Sequence, residues 1–283
     1  MSGMIRRFPP KRRHVVRIGR AYVASFVAGA RQRSLFDQVE TYCMFIGYPR
    51  SGHSLVGSLL DAHPDMVIAH ELDALGFVQN GFRREQLYAL ILNNADEIAA
   101  KGREQTGYSY GVPNQWQGRF ERLRVIGDKR GMTSMSRIAR RPALLDRLQH
   151  VVRDPVRFVH VVRNPFDNIS TMAKRRNLTL DQAADIYFSL SETVASVKRR
   201  VGTGRVVDVR HEAVIADPKG SLKEMCAFLG VSPTDDYLED CAGIVYASPH
   251  KSRLEAPWTP ELKEAVQRRI DGFAFLEGYG WDA

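Results

Sequence analysis

The sequence predicts an α/β fold with a central parallel β-sheet flanked by helices, and three observations predict it. Short apolar runs without polar alternation recur along the chain, as strands buried on both faces would. Stretches of helical period separate them, the pattern of a parallel sheet with crossover helices. Charged and hydroxyl residues gather directly after the runs, where such a sheet binds its ligands.

The elements follow in order. Tyr42 to Gly47 (YCMFIG) is an apolar run closed by glycine and proline and reads as the first strand. From His53 to Ala62, Leu55, Leu59 and Leu60 share one helical face, and His63-Pro64 stops the helix. Met66 to His70 is a second strand, and residues 84–101 have helical period. Gly102 to Gly118 is polar, glycine-rich and aromatic; it reads as a loop over a site, in which Tyr108, Tyr110 and Trp116 either line an acceptor pocket or pack the loop. Leu123 to Gly127 and Arg157 to Val162 are the third and fourth strands. Helices are expected over 165–176 and 180–201, a fifth strand over 205–209, and a helix from Lys219 to Leu229 launched by Asp217-Pro218 and closed by Gly230. The remainder reads as helical.

A formal charge of +9 suggests a nucleic-acid partner until it is mapped. Residues 1–33 carry nine basic side chains and no acid, which leaves 32 basic against 32 acidic residues in the rest of the chain. The surplus belongs to a tail, so no nucleic-acid partner is expected. The chain divides into a basic tail, 1–33, and a main domain, 34–283. In the tail, Val15, Ile18, Tyr22 and Phe26 fall at helical spacing among arginines. Two readings stay open: a basic helix on an anionic membrane surface, or a helix capping the body behind a disordered arm. Cys43, Cys226 and Cys241 are an odd set without metal-ligand spacing, and no uncharged apolar stretch approaches the roughly 20 residues of a membrane span. The body is expected to be cytoplasmic.

The chemistry starts at Gly47 to Ser54, GYPRSGHS. This nearly matches the phosphate loop G-x-x-x-x-G-K-[ST], except that His53 stands at the lysine position. A strand, a glycine loop and a helix start hold phosphate through backbone N–H groups whatever the side chains. The fixed cation within the loop is Arg50, three residues before the usual lysine. His70 and Glu71 follow the second strand, Asp128 and Lys129 the third, Arg163 to Asp167 the fourth, and Arg210 to Glu212 the fifth. Asp128 is the candidate magnesium partner should the loop serve a triphosphate. Asp167 is expected to support the first turn of its helix, and His63 to bond locally in its turn.

The loop resembles that of the sulfotransferases that use 3′-phosphoadenosine 5′-phosphosulfate (PAPS). Their 5′ loop has the form Tyr-Pro-(Lys/Arg)-Ser-Gly-(Thr/Ser)-(Thr/Ser), and Tyr48 to Ser54 departs from it only at His53. Pro49-Arg50-Ser51-Gly52, then Leu60-Asp61-Ala62-His63-Pro64, then Glu71 is similar in register to the tyrosylprotein sulfotransferases, whose aligned glutamate is the base. The family's 3′-phosphate motif, an arginine after a strand with a hydroxyl eight residues later, is matched by Arg163 and Thr171, with Ser170 as neighbouring candidate. Lys129 stands where the family places a lysine near the transferring group. Lys251-Ser252-Arg253 before Trp258 resembles the basic segment that folds over the nucleotide.

The resemblance spans about residues 42–280 and implies the P-loop NTPase-like sulfotransferase fold. It implies Arg50, Ser51, Gly52, His53, Ser54, Arg163, Ser170, Thr171, Lys251 and Arg253 as donor-binding residues, PAPS as donor, and no metal. Glu71, Arg50 and Lys129 are the expected catalytic residues, with His70 as the alternative base. The expected acceptor is a hydroxyl of a carbohydrate, lipid or small alcohol. The rival readings are a P-loop kinase with a degenerate loop and a non-catalytic nucleotide-binding module.

Overall fold

The computed structural model of the chain describes residues 12–105 and 108–283. In chain order the elements are α1 (Arg12–Arg31), α2 (Arg33–Phe36), β1 (Thr41–Gly47), α3 (His53–Asp61), β2 (Met66–His70), α4 (Ala74–Gln79) and α5 (Arg84–Ala100). The two-residue strands β3 (Glu104–Gln105) and β4 (Tyr108–Ser109) follow, then β5 (Val125–Lys129), α6 (Met132–Arg140), α7 (Leu144–Val152) and β6 (Val156–Val162). The last part holds α8 (Pro165–Arg176), α9 (Leu180–Val201), β7 (Val206–Arg210), α10 (His211–Ala216), α11 (Pro218–Leu229), α12 (Asp235–Gly243) and α13 (Pro260–Ile270).

Five strands form one sheet in the order β2-β5-β1-β6-β7, every pairing parallel, as expected from the apolar runs. Every residue of β1 is buried. Its side chains alternate between two cores: Met44 and Ile46 join one, Cys43 and Phe45 the other. The three cysteines are free and buried. β1 is central, with β5 and β2 on one side and β6 and β7 on the other, and the crevice at the C-terminal end of such a strand is where these folds take ligands.

Three expectations shift. The third strand runs over 125–129, so Asp128 and Lys129 are its last residues, not those after it. The expected loop after α5 contains the small antiparallel β3–β4 hairpin. After α12 the chain is only partly helical, with 3₁₀ turns at Ser252–Glu255 and Ala274–Leu276 around α13.

Helix α1 rests on α5. Gln86 Nε2 donates to Tyr22 O at 2.9 Å, Tyr22 meets Phe82 edge to face, and a Cβ at Gly29 would stand 2.7 Å from the Glu85 backbone. The helix thus caps the body along this face. The arm expected ahead of it lies outside the described residues. No helix among the described residues is long and apolar enough to cross a membrane.

Candidate active site

The loop from β1 to α3 turns on three residues with positive φ: Gly47 (123°), Arg50 (68°) and Gly52 (100°). Gly52 caps α3, whose first N–H groups have no acceptor within the helix. Glycine is required there by contact as well as by φ, since a Cβ would collide with the His211 ring. Ser51 is buried, and its Oγ donates to Tyr48 O at 3.1 Å.

His53 lies inside this turn. Its Nε2 donates to Ile46 O at 3.1 Å, and its Nδ1 faces Ser51 Oγ at 3.5 Å. Burial, aided by nearby Lys129, pushes its pKa down to about 3. The imidazole is therefore neutral and packs under the loop against Gly131. It does not replace the cation of a triphosphate loop.

A buried cation does reach the loop helix, from the neighbouring strand. Lys129 is 2% exposed, and its stem crosses α3 at Gly57, where a Cβ would stand 2.7 Å from Lys129 Cγ. Its Nζ reaches Ser54 Oγ at 3.2 Å, Glu71 Oε1 at 3.0 Å and His70 Nε2 at 3.3 Å. One buried ammonium thus joins the phosphate-loop helix to both candidate bases.

Glu71 adopts φ 58°, a left-handed conformation that strains a side-chain-bearing residue by about 1 kcal/mol or more. Its neighbours hold it there. Glu71 N donates to Lys129 O, while the buried Asp128 carboxylate accepts from Leu72 N at 3.1 Å and Ala74 N at 2.8 Å. Asp128 is thus spent on the backbone of the Glu71 turn, not offered to a metal. Burial pushes its pKa up to about 6 against the pull of the two N–H donors. His70 is set from behind, its N–H donating to Asn94 Oδ1 at 2.7 Å.

The second cationic centre follows β6. Arg163 is buried and donates to His250 O, with Ser252 Oγ at 3.5 Å. Thr171 Oγ1 stands 2.9 Å from the same Ser252 Oγ, so the arginine and hydroxyl expected to act together meet around one side chain. Lys251 is exposed and lines the cleft beside them. Ser170 is also on the cleft wall, but its hydroxyl is already engaged: Oγ donates to Phe166 O and accepts from Trp258 Nε1 at 2.9 Å.

Arg253 is not on the cleft wall. Its guanidinium is buried against Asp167 at 2.6 Å and bonds Ala283 O, so Arg253 anchors the 250–256 segment to α8. Asp167, expected to support a helix start, is the partner in that buried pair and also accepts from Arg253 N.

A single cleft of about 2310 Å³ joins the two centres. Arg50, Ser54, Glu71 and Lys129 line one part, and Arg163, Thr171, Lys251 and Ser252 another. Tyr108 and Tyr110 are on its wall with Tyr246, whereas Trp116 is not.

Sequence reasoning placed Arg210 to Glu212 after the fifth strand but gave two contributors there, His211 and Glu212, no role. Glu212 accepts from Asn164 N and Tyr279 OH and fixes the turn that carries Arg163. His211 backs Gly52, and its buried Nδ1 has no hydrogen-bond partner among the described residues. Burial, with Arg163 nearby, lowers its pKa to about 4. Their position after a strand was the available signal.

Solved sulfotransferase structures share the fold, these three among them. The sulfotransferase domain of the Synechococcus PCC 7002 olefin synthase is 18% identical, with 84% of this chain and 95% of that one aligned at a TM-score of 0.53. A sulfotransferase from Mycobacterium avium is 12% identical, covering 90% and 82% at 0.51. One from Mycobacterium tuberculosis H37Rv is 14% identical, covering 88% and 81% at 0.50. No curated protein matches the chain by sequence. The sequence model of the sulfotransferase family matches residues 44–236, a span that holds the phosphate loop, Glu71, Lys129, Arg163 and Thr171. By that match the chain belongs to the sulfotransferase family.

Proposed function

We propose that the protein transfers the sulfuryl group of PAPS to a hydroxyl, giving a sulfate ester and adenosine 3′,5′-bisphosphate. The observation that carries this reading is the pair of cationic, hydroxyl-bearing centres in one cleft. A donor with phosphates at two ends needs two such centres, and a triphosphate donor needs one.

In this reading the loop N–H groups, Arg50 and Ser54 hold the 5′-phosphosulfate, and Arg163, Thr171, Ser252 and Lys251 take the 3′-phosphate. The acceptor oxygen attacks sulfur as the bond from sulfur to the phosphate oxygen breaks. The acceptor proton passes to Glu71, and Lys129 offsets the charge that grows on the departing phosphate. The acceptor is a carbohydrate, lipid or small alcohol.

Thermal shift tests the donor: adenosine 3′,5′-bisphosphate should raise the melting temperature without magnesium, and ATP with magnesium should not. Stabilisation by Mg-ATP alone would favour the kinase reading. Turnover of labelled PAPS against a library of hydroxyl acceptors then distinguishes an enzyme from a binder.

A further inference from the structure

The side of α1 turned away from α5 has the wrong chemistry for a surface meant only for water. Val23 is 67% exposed, Phe26 51% and Val27 47%, with exposed Ala30 continuing the row at helical spacing. These are three of the five large apolar side chains that stand exposed among the described residues. Arg20, Arg31 and Arg33, all exposed, frame the row, and no acid occurs before Asp37. An apolar stripe within a purely cationic frame suits an interface that is apolar beneath and anionic at its surface.

We propose that this face of α1 docks on an anionic phospholipid surface, with Val23, Phe26 and Val27 entering the headgroup region and the arginines pairing with lipid phosphates. The helix is already pinned to the protein by its other side, through Tyr22, Ser25 and Gly29. Docking therefore does not bear the cost of folding the helix, unlike a free amphipathic segment.

The position of the face bears on catalysis. The α1 contacts fall on Phe82, Glu85 and Gln86, at the start of α5. That start is tied by Arg84 to Phe36 O, Val152 O and Asp154, the residues leading into β1 and β6. Farther along the same helix, Asn94 bonds His70 at the cleft. The membrane contact thus sits at the end of the sheet opposite the cleft, and a bound bilayer leaves the cleft open to solvent.

Co-sedimentation of the full chain with sucrose-loaded vesicles tests this. Vesicles of phosphatidylcholine with phosphatidylglycerol should bind the protein, pure phosphatidylcholine should not, and salt should weaken the binding. Replacing Val23, Phe26 and Val27 together by serine should cut binding by about tenfold or more. Should that variant fold poorly by circular dichroism, the double change Arg20→Glu with Arg31→Glu gives the same reading through charge, again by about tenfold or more. Absence of wild-type binding to the anionic vesicles overturns the proposal. So does binding that survives both variants. Self-association abolished by the serine changes, without vesicle binding, would assign the face to a second copy instead.

Discussion

Lys129 and Glu71 form an unequal ion pair, 3.0 Å between Nζ and Oε1, with the lysine 2% exposed and the glutamate 48%. Burial drives the Lys129 pKa down even beside its partner. For Glu71, burial alone would raise the pKa, but Lys129, Arg130 and His70 outweigh it and the net shift is downward. The glutamate is thus ionised and ready to accept a proton, held at the lysine that also touches the phosphate-loop helix through Ser54.

Replacing this lysine should harm turnover more than binding. Lys129→Ala removes the charge placed to meet the leaving phosphate, and kcat should fall by roughly 10²–10³-fold, the usual loss for one preorganised stabilising group. Affinity for adenosine 3′,5′-bisphosphate should change much less, because Arg163 and Thr171 are untouched. A rate near that of the wild type would remove Lys129 from the transfer step.

The identity of the base can be read from pH as well as from mutation. Glu71→Gln keeps the shape, loses the basicity, and should cut turnover by roughly 10²–10⁴-fold. Because the Glu71 pKa lies below its ordinary value of 4.5, its basic form persists above that pH and is lost only as pH falls further. The acid limb of kcat/KM should therefore lie below pH 4.5. If His70 is the base instead, His70→Asn, not Glu71→Gln, should abolish activity, and the acid limb should survive Glu71→Gln.

Arg163→Ala should weaken PAPS binding sharply, since a buried guanidinium opposite a dianion makes a strong charge-assisted contact. Adenosine 5′-phosphosulfate lacks the 3′-phosphate and should lose little from the same change. Competition titrations with both nucleotides decide the matter: equal losses would mean that Arg163 does not read the 3′-phosphate.

Much of this was legible in the chain because a parallel sheet announces itself twice. Its strands are apolar on both faces, and its ligands gather past their C-terminal ends, so Arg50, Glu71, Lys129 and Arg163 stood out by position, while their expected roles came from the family resemblance. Helices α6 and α7 were harder, as neither has a capping side-chain hydrogen bond to mark its start. Arg253 was hidden for another reason. A basic run after a loop looks the same whether its arginine faces a ligand or a buried carboxylate, and only the fold brings Asp167 to it across 86 residues. The left-handed backbone at Glu71 carried no signal either, because neither glycine nor asparagine marks it.

His53 gives a prediction on stability whose sign follows from its place under the phosphate loop. In the folded chain the imidazole stays neutral down to about pH 3, because protonation would put a cation in a buried site near Lys129. An unfolded chain takes up that proton near its ordinary value of 6.5. Between these values the folded state binds fewer protons, so the contribution of His53 is fully present above pH 6.5 and is lost as pH falls through the window. His53→Gln retains an amide able to donate to Ile46 O but cannot titrate. At pH 7.5 the variant should be less stable by about 1 kcal/mol, the usual cost of an altered buried hydrogen bond. By pH 5 the wild type should have lost roughly 2 kcal/mol relative to the variant, at about 1.4 kcal/mol per pH unit below 6.5, so the order of stabilities should reverse. Urea unfolding of both proteins at pH 7.5, 6 and 5 measures the difference directly. A gap that stays constant across that range would mean that His53 takes up its proton in the folded loop as readily as in the unfolded chain.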